Sequence, residues 1–303
     1  MLRCCQLLFL LAVALSSSSS WAATPHVVAS LPDLAAIAQE VVGKEGEVHV
    51  LASPRQDPHY VDPRPSLVLE INQANLVVTN GLQLEDAWLR PLLQQARNSS
   101  VMPGGPGYFD ASTFVTLLEV PVSLDRSQGD IHPGGNPHYL FDPRRVAKIA
   151  IGLGERLAVL DPDKAADYRG RAAVFAKRME QIAADQTARF AALPKEARAV
   201  VAYHRSLAYL FDWLGITQAV TIEPRPGIPP DPGHVARVLS IMKQNKVRAV
   251  VQEDFYPTNA STTLAQLTKA DLVAIPGATR FGSERYETHI LAITEAVYAA
   301  LRE

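Results

Sequence analysis

Short runs of β-branched and small apolar residues, each bounded by segments of helix-forming composition, constrain this chain more than any other feature. In the first half they are His26-Val27-Val28-Ala29, Glu47-Val48-His49-Val50 and Leu76-Val77-Val78-Thr79. In the second half they are Arg198–Ala202, Ala219–Ile222, Val247–Val251 and Asp271–Ile275. Strands that are apolar on both faces and alternate with helices require a parallel sheet covered by helices, so the pattern predicts an α/β class fold. Two sets of runs predict two lobes with parallel-type sheets. A chain of 303 residues is long enough for a core in each.

A different region separates the two sets. Asp142-Pro143 and Asp161-Pro162 both read as an N-cap followed by Pro at the first helical position. From there to Leu193 the chain contains a single Gly, at 170, no further Pro, and abundant Ala, Arg, Lys, Glu and Gln. We expect one long connecting helix over 161–193, between an N-terminal lobe at 24–160 and a C-terminal lobe at 194–303.

The first 23 residues carry Arg3, an apolar run from Leu7 to Leu15, the serines 16–20 and the small-residue context Trp21-Ala22-Ala23. The run is too short to span a bilayer, and the arrangement predicts a cleaved secretory signal peptide. The 2 cysteines, Cys4 and Cys5, precede the apolar run, whereas the acylated cysteine of a bacterial lipoprotein follows it. A released periplasmic protein with no lipobox is therefore expected, one without a disulfide or thiolate site. The balance of 29 Lys+Arg against 31 Asp+Glu excludes the basic stripe of a nucleic-acid-binding protein.

The chemistry lies in histidine. Asp57-Pro58-His59-Tyr60-Val61-Asp62-Pro63-Arg64 and Asn136-Pro137-His138-Tyr139-Leu140-Phe141-Asp142-Pro143-Arg144 are near copies, each holding a His between a Pro and an Asp-Pro helix start. His204 follows the run ending at Ala202-Tyr203, the carboxyl end of an expected strand, where open α/β sheets build their ligand sites. The three histidines are far apart in sequence, which implies a site drawing on both lobes. Three imidazoles suit Zn²⁺ and leave one position for a carboxylate or water. Of the remaining histidines, His26 and His49 read as packing or edge residues, His234 and His289 as solvated helix faces, and His132 as a surface residue of a Pro/Gly-rich loop with the option of helping to load metal.

These pieces resemble the cluster A-I solute-binding proteins of metal ABC importers, the ZnuA/TroA-like family. The resemblance rests on Asp57-Pro58-His59 with Arg64-Pro65-Ser66, Leu76–Gly81 with Leu84-Glu85, Asn136-Pro137-His138 with Asp142-Pro143, Tyr203-His204 with Tyr209-Leu210, Ile222–Gly227 and Val251-Gln252-Glu253. It implies two α/β lobes joined by one long helix, with metal held in the interlobe cleft by His59, His138 and His204. It also implies a membrane permease as partner, with the protein acting as a monomer and not as an enzyme. Manganese-specific members tend to carry Glu at the third position, so His204 favours zinc over manganese or iron. Two departures stand out. The His- and acid-rich loop of zinc members is reduced here to Asp130 and His132, and Ile275–Arg280 lacks the Asp that usually supplies a fourth ligand. Glu284, Glu253 or water are the substitutes.

Two readings compete with zinc capture. A secreted zinc hydrolase would also use three histidines and a water, but the chain has no His-Glu-x-x-His, Gly-x-Ser-x-Gly or P-loop. An extracellular adhesin is the other.

Overall fold

The computed structural model describes residues 25–122, 129 and 132–302. The expected signal segment, with Cys4 and Cys5, lies outside the described residues, as does Asp130. The N-terminal lobe is a parallel sheet of order β2-β1-β3-β4, with β1 at His26–Ala29, β2 at Glu47–Val50, β3 at Leu76–Thr79 and β4 at Tyr108–Asp110. The C-terminal lobe repeats the scheme as β6-β5-β7-β8, with β5 at Ala199–Ala202, β6 at Thr217–Thr221, β7 at Ala249–Glu253 and β8 at Asp271–Ile275. Every ladder is parallel. Strands β3 and β7 are buried along their whole length, and their apolar parts, Leu76–Val78 and Ala249–Val251, read as continuous runs, while β7 ends in the buried polar pair Gln252 and Glu253.

Helices α1 (Pro32–Val42), α2 (Pro65–Gln73), α3 (Asp86–Ala96) and α4 (Pro143–Leu160) belong with the first sheet, and α6 (Ala208–Leu214), α7 (Pro232–Gln244), α8 (Asn259–Thr268) and α9 (Tyr286–Arg302) follow the long α5 (Ala165–Ala191). The Asp-Pro signals act unequally. Asp142 caps α4 by accepting from the Arg144 N–H at 2.9 Å, and Asp231 caps α7 by accepting from His234 N–H at 2.9 Å. After Asp62-Pro63 the helix waits until Pro65, because Arg64 precedes a proline and is held extended at φ −115°, ψ 145°. After Asp161, residues 162–164 form a 3₁₀ turn, and the Asp161 carboxylate instead accepts from the Tyr168 hydroxyl at 2.9 Å.

Helix α5 runs unbroken for 27 residues through Gly170, about 40 Å of helix. It forms a hairpin with α4 and touches both lobes. Near its start Arg171 donates to the carbonyls of Val41 and Val42, at 2.8 and 2.9 Å. Near its end the Ala183 carbonyl accepts from Trp213 Nε1 at 3.1 Å, and Arg189 pairs with Glu295 at 2.6 Å. One continuous helix thus contacts both lobes, with the strands carrying the loops of His59, Asn80, His204 and Glu253 turning their carboxyl ends toward the space between them. Among the described residues no helix is long and apolar enough to cross a membrane.

Candidate metal centre

His59 sits in the loop after β2, His138 in the loop leading to α4, and His204 two residues beyond β5. The structure brings them together: their ring centroids are 5.1 Å (His59 to His138), 5.4 Å (His138 to His204) and 5.8 Å (His59 to His204) apart. One ligand nitrogen from each lies within 4.8 Å of the others, and all three side chains are buried.

Two of the rings are oriented by carboxylates. His59 Nδ1 is 2.7 Å from Asp57 Oδ1, which also accepts the His59 backbone N–H at 2.9 Å. His204 Nδ1 is 2.7 Å from Glu223 Oε2. A carboxylate accepts and does not donate, so each Nδ1 carries the proton and each Nε2 keeps its lone pair for a cation. Burial alone would raise the Asp57 carboxyl, but the hydrogen bonds and charge of His59, with the charge of His204, outweigh it and hold the carboxyl below its usual range. His138 is fixed through its backbone, its N–H donating to Asn136 Oδ1 at 2.9 Å. Its Nε2 is buried without a hydrogen-bond partner. Burial first, and then the charges of His59, His204 and His132, push its pKa well below the usual 6.5. A neutral imidazole with an unspent lone pair is what a cation site requires.

The loops carrying these residues are clamped. Asn80, just after β3, donates from Nδ2 to the Pro137 carbonyl at 2.9 Å, and Tyr139 donates its hydroxyl to the Asn80 carbonyl. Asn136 reaches the other lobe, donating to the Arg205 carbonyl at 2.9 Å, while its own carbonyl accepts from the Tyr209 hydroxyl at 2.7 Å.

Three of the minor histidines differ from expectation. His132 is half-buried, not a surface residue: its Nδ1 lies 2.9 Å from the Leu82 carbonyl oxygen and its Nε2 lies 3.3 Å from His59 Nε2, at the rim of the site. His234 is buried with Nε2 3.1 Å from the Thr221 carbonyl oxygen, and His289 is 1% exposed, so neither occupies a solvated face. Both lie where tertiary packing of a helix start, not the helix pattern, decides exposure.

The two carboxylates considered as fourth ligands part company. Glu284 accepts from the Arg280 backbone N–H at 3.0 Å and lies 4.0 Å from His289 Nδ1, outside the group of converging ligand atoms. Its place at a turn before α9 gives its charge a local backbone partner. Glu253, at the end of β7, is 1% exposed, has an Oε2 without a hydrogen-bond partner and lines the same small cavity as His138. Burial raises its pKa. Residues 276–280, directly after β8, offer no carboxylate; Thr279 there donates its backbone N–H across the lobes to Asp33 Oδ1 at 2.8 Å. Sequence reading did not single out Asp57 and Glu223 as orienting groups. The Asp-x-His spacing was a usable signal for the first, and the second is set by strand register.

Residues 27–300 match the family model described as ZnuA, zinc-uptake complex component A, periplasmic. The chain is 24% identical over 251 residues to the manganese-binding lipoprotein MntA of Halalkalibacterium halodurans, covering 81% of this chain and 76% of that one. Its fold is similar to a crystal structure of ZnuA, with TM-score 0.77 and 22% identity over 92% of this chain and 99% of the other. It is also similar to the laminin-binding protein Lmb of Streptococcus agalactiae, described as a bifunctional adhesin and metal transporter, with TM-score 0.76 and 25% identity over 91% and 98% of the two chains. The chain belongs to the ZnuA family, the cluster A-I solute-binding proteins of metal ABC importers, which bind and deliver cargo and are not enzymes.

Proposed function

We propose that the protein captures Zn²⁺ in the periplasm as a released monomer and delivers it to the permease of an ABC importer, with His59, His138 and His204 as ligands. The observation that carries this reading is the convergence of three buried imidazoles, one with an unpartnered Nε2 and two with Nδ1 committed to carboxylates. Three nitrogen donors suit a borderline cation better than a hard one. The metal is cargo, so the site needs a fixed donor set and an exit, which loops at an interlobe cleft provide. Glu253 or water completes the shell, and His132 at the rim supplies an intermediate contact during loading.

Manganese is the second reading, favoured by the names of the relatives and by the buried, unpartnered Glu253 Oε2, which would harden the donor set. Elemental analysis of the protein as purified, followed by competition between Zn²⁺ and Mn²⁺, decides between them. Zinc retained against excess Mn²⁺, with binding lost in His59→Ala, His138→Ala and His204→Ala, is the expected result. Preferential Mn²⁺ retention would overturn the zinc assignment, and unimpaired binding in those variants would overturn the ligand set.

A further inference from the structure

A second group of ligating side chains lies at the outer edge of the N-terminal sheet, separate from the cleft histidines: His26 on β1, His49 on β2 and Glu70 on α2. The parallel register pairs His26 with Glu47 and Val28 with His49. Alternate residues of a strand share a face, so His26 and His49 emerge on the side that α2 covers with Glu70, and β2 is the edge strand of its sheet. The two rings lie 4.5 Å apart, tilted by 32°.

The distances fit a small cation. Glu70 Oε2 lies 3.2 Å from His49 Nδ1 and 3.7 Å from His26 Nε2. Ligands at 2.0–2.1 Å from a tetrahedral zinc are about 3.3 Å from one another, so these donors need only small rotations to share an ion. Glu47 Oε2 lies 3.7 Å from His26 Nδ1 and 4.0 Å from His49 Nε2, an additional carboxylate at the margin. His26 Nε2 is buried and has no hydrogen-bond partner, a state that buried polar nitrogens rarely keep. The strand start that presents it is pinned, since His26 N–H donates to Asn75 Oδ1 at 2.9 Å.

We propose that His26, His49 and Glu70 form a second divalent-cation site, of mixed imidazole and carboxylate donors suited to Zn²⁺, with Glu47 as an outer carboxylate. His49 is 40% exposed and Glu70 37%, so one side of the site is open to solvent and its ion exchanges more readily than one held in the cleft. This site shares no residue with the cleft and does not depend on the function proposed for it.

Calorimetric titration of metal-stripped protein with Zn²⁺ alone tests the assignment. The wild type takes up two equivalents, the weaker of which is removed first by a competing chelator. His49→Ala and Glu70→Gln, both at partly exposed positions, each take up one. The triple variant His59→Ala/His138→Ala/His204→Ala keeps the weaker equivalent. Zinc-dependent shifts of the His26 and His49 ring protons in the wild type give a readout that needs no substitution. A wild type that binds one equivalent, lost in the triple variant, overturns the second site and leaves the cleft reading intact. One equivalent lost only in His49→Ala does the reverse. Two equivalents retained in His49→Ala also overturn the proposal.

Discussion

His204 Nδ1 and Glu223 Oε2 lie 2.7 Å apart in the cleft, both residues less than a tenth exposed. The pair fixes the tautomer and the direction of the ring, and the negative charge makes the opposite nitrogen a better donor. Glu223→Ala is therefore expected to lower metal affinity about 10–100-fold without removing a ligand. Glu223→Gln, which can still accept from Nδ1 but lacks the charge, falls between Ala and wild type. Competition against a chromophoric chelator measures both, and unchanged affinity in the Ala variant would show that the pair is structural only.

That pair also shows where sequence reading reaches its limit. Ala202 pairs with Thr221 across β5 and β6, and His204 and Glu223 each lie two residues further on. Their meeting is a consequence of register, which joins segments that nothing local connects. The same holds for β4, three residues long, whose strand character comes from the pairing of Tyr108 with Val77. By contrast, the starts of α4 and α7 are local: an Asp side chain bonds the backbone within three residues and the following Pro has its φ preset, so both could be read directly. His59 and His138 were legible because their Pro-His contexts are duplicated. The His26, His49 and Glu70 cluster was not, since two strands and a helix must pack before those side chains meet.

His138 makes the stability of the metal-free protein depend on pH. Its folded-state pKa lies below the usual 6.5, so between those two values the unfolded chain holds the extra proton and stability rises with pH. As pH falls below about 6.5 this contribution is lost. Glu85 works in the opposite sense: burial lifts its pKa from 4.5 to about 7, despite hydrogen bonds from the Ser30 hydroxyl and the Asn80 and Gly81 N–H groups, so its contribution declines as pH rises through that interval. The difference in slope between wild type and His138→Ala isolates the histidine. Denaturant unfolding of metal-free protein at several pH values between 5 and 7.5 is expected to show stability rising more steeply with pH in the wild type, by at most about 1.4 kcal/mol per pH unit. Parallel curves would contradict the displaced pKa.

The start of α4 carries a concentrated electrostatic load. Asp142 is fully buried, caps the helix and pairs with both Arg144 and Arg145, and the Arg145 side chain is itself only 10% exposed. Removing the carboxylate takes away the shortest partner of a buried guanidinium, leaving Arg145 the Thr116 carbonyl at 3.0 Å and the Asp212 carboxylate at 3.8 Å, and leaves an N-terminal N–H uncapped. Asp142→Ala is expected to cost about 3 kcal/mol, the low end for breaking a buried pair because Asp212 still faces Arg145, with the rest of the loss in the cap. Asp142→Ala combined with Arg145→Met should recover part of that loss, because it removes a buried charge that has lost its shortest partner while keeping apolar volume. Urea denaturation of the two variants measures the difference; a double variant no more stable than the single one would place the loss in the cap instead.

The lobes are joined by more than one helix. Asp33 in α1 accepts from both the backbone N–H and the hydroxyl of Thr279 beyond β8, and Tyr286 at the start of α9 donates to the Leu140 carbonyl at 2.6 Å. Arg178 in α5 binds Glu40 at 2.5 Å and Glu287 at 2.8 Å, tying α1 and α9 to the same residue. Hinge closure needs a few residues able to absorb large φ/ψ changes, whereas a continuous helix bridged to both lobes allows only small tilts. Metal binding is thus expected to order the loops carrying His59, His138 and His204 without a change in radius of gyration that solution scattering can resolve. Thr279→Val and Asp33→Ala, which sever the tie between α1 and the loop after β8, should loosen the metal-free form and make a metal-dependent contraction measurable. A wild-type protein that contracts clearly on adding Zn²⁺ would show that α5 bends or that the lobes slide along it, and would refute the rigid connector.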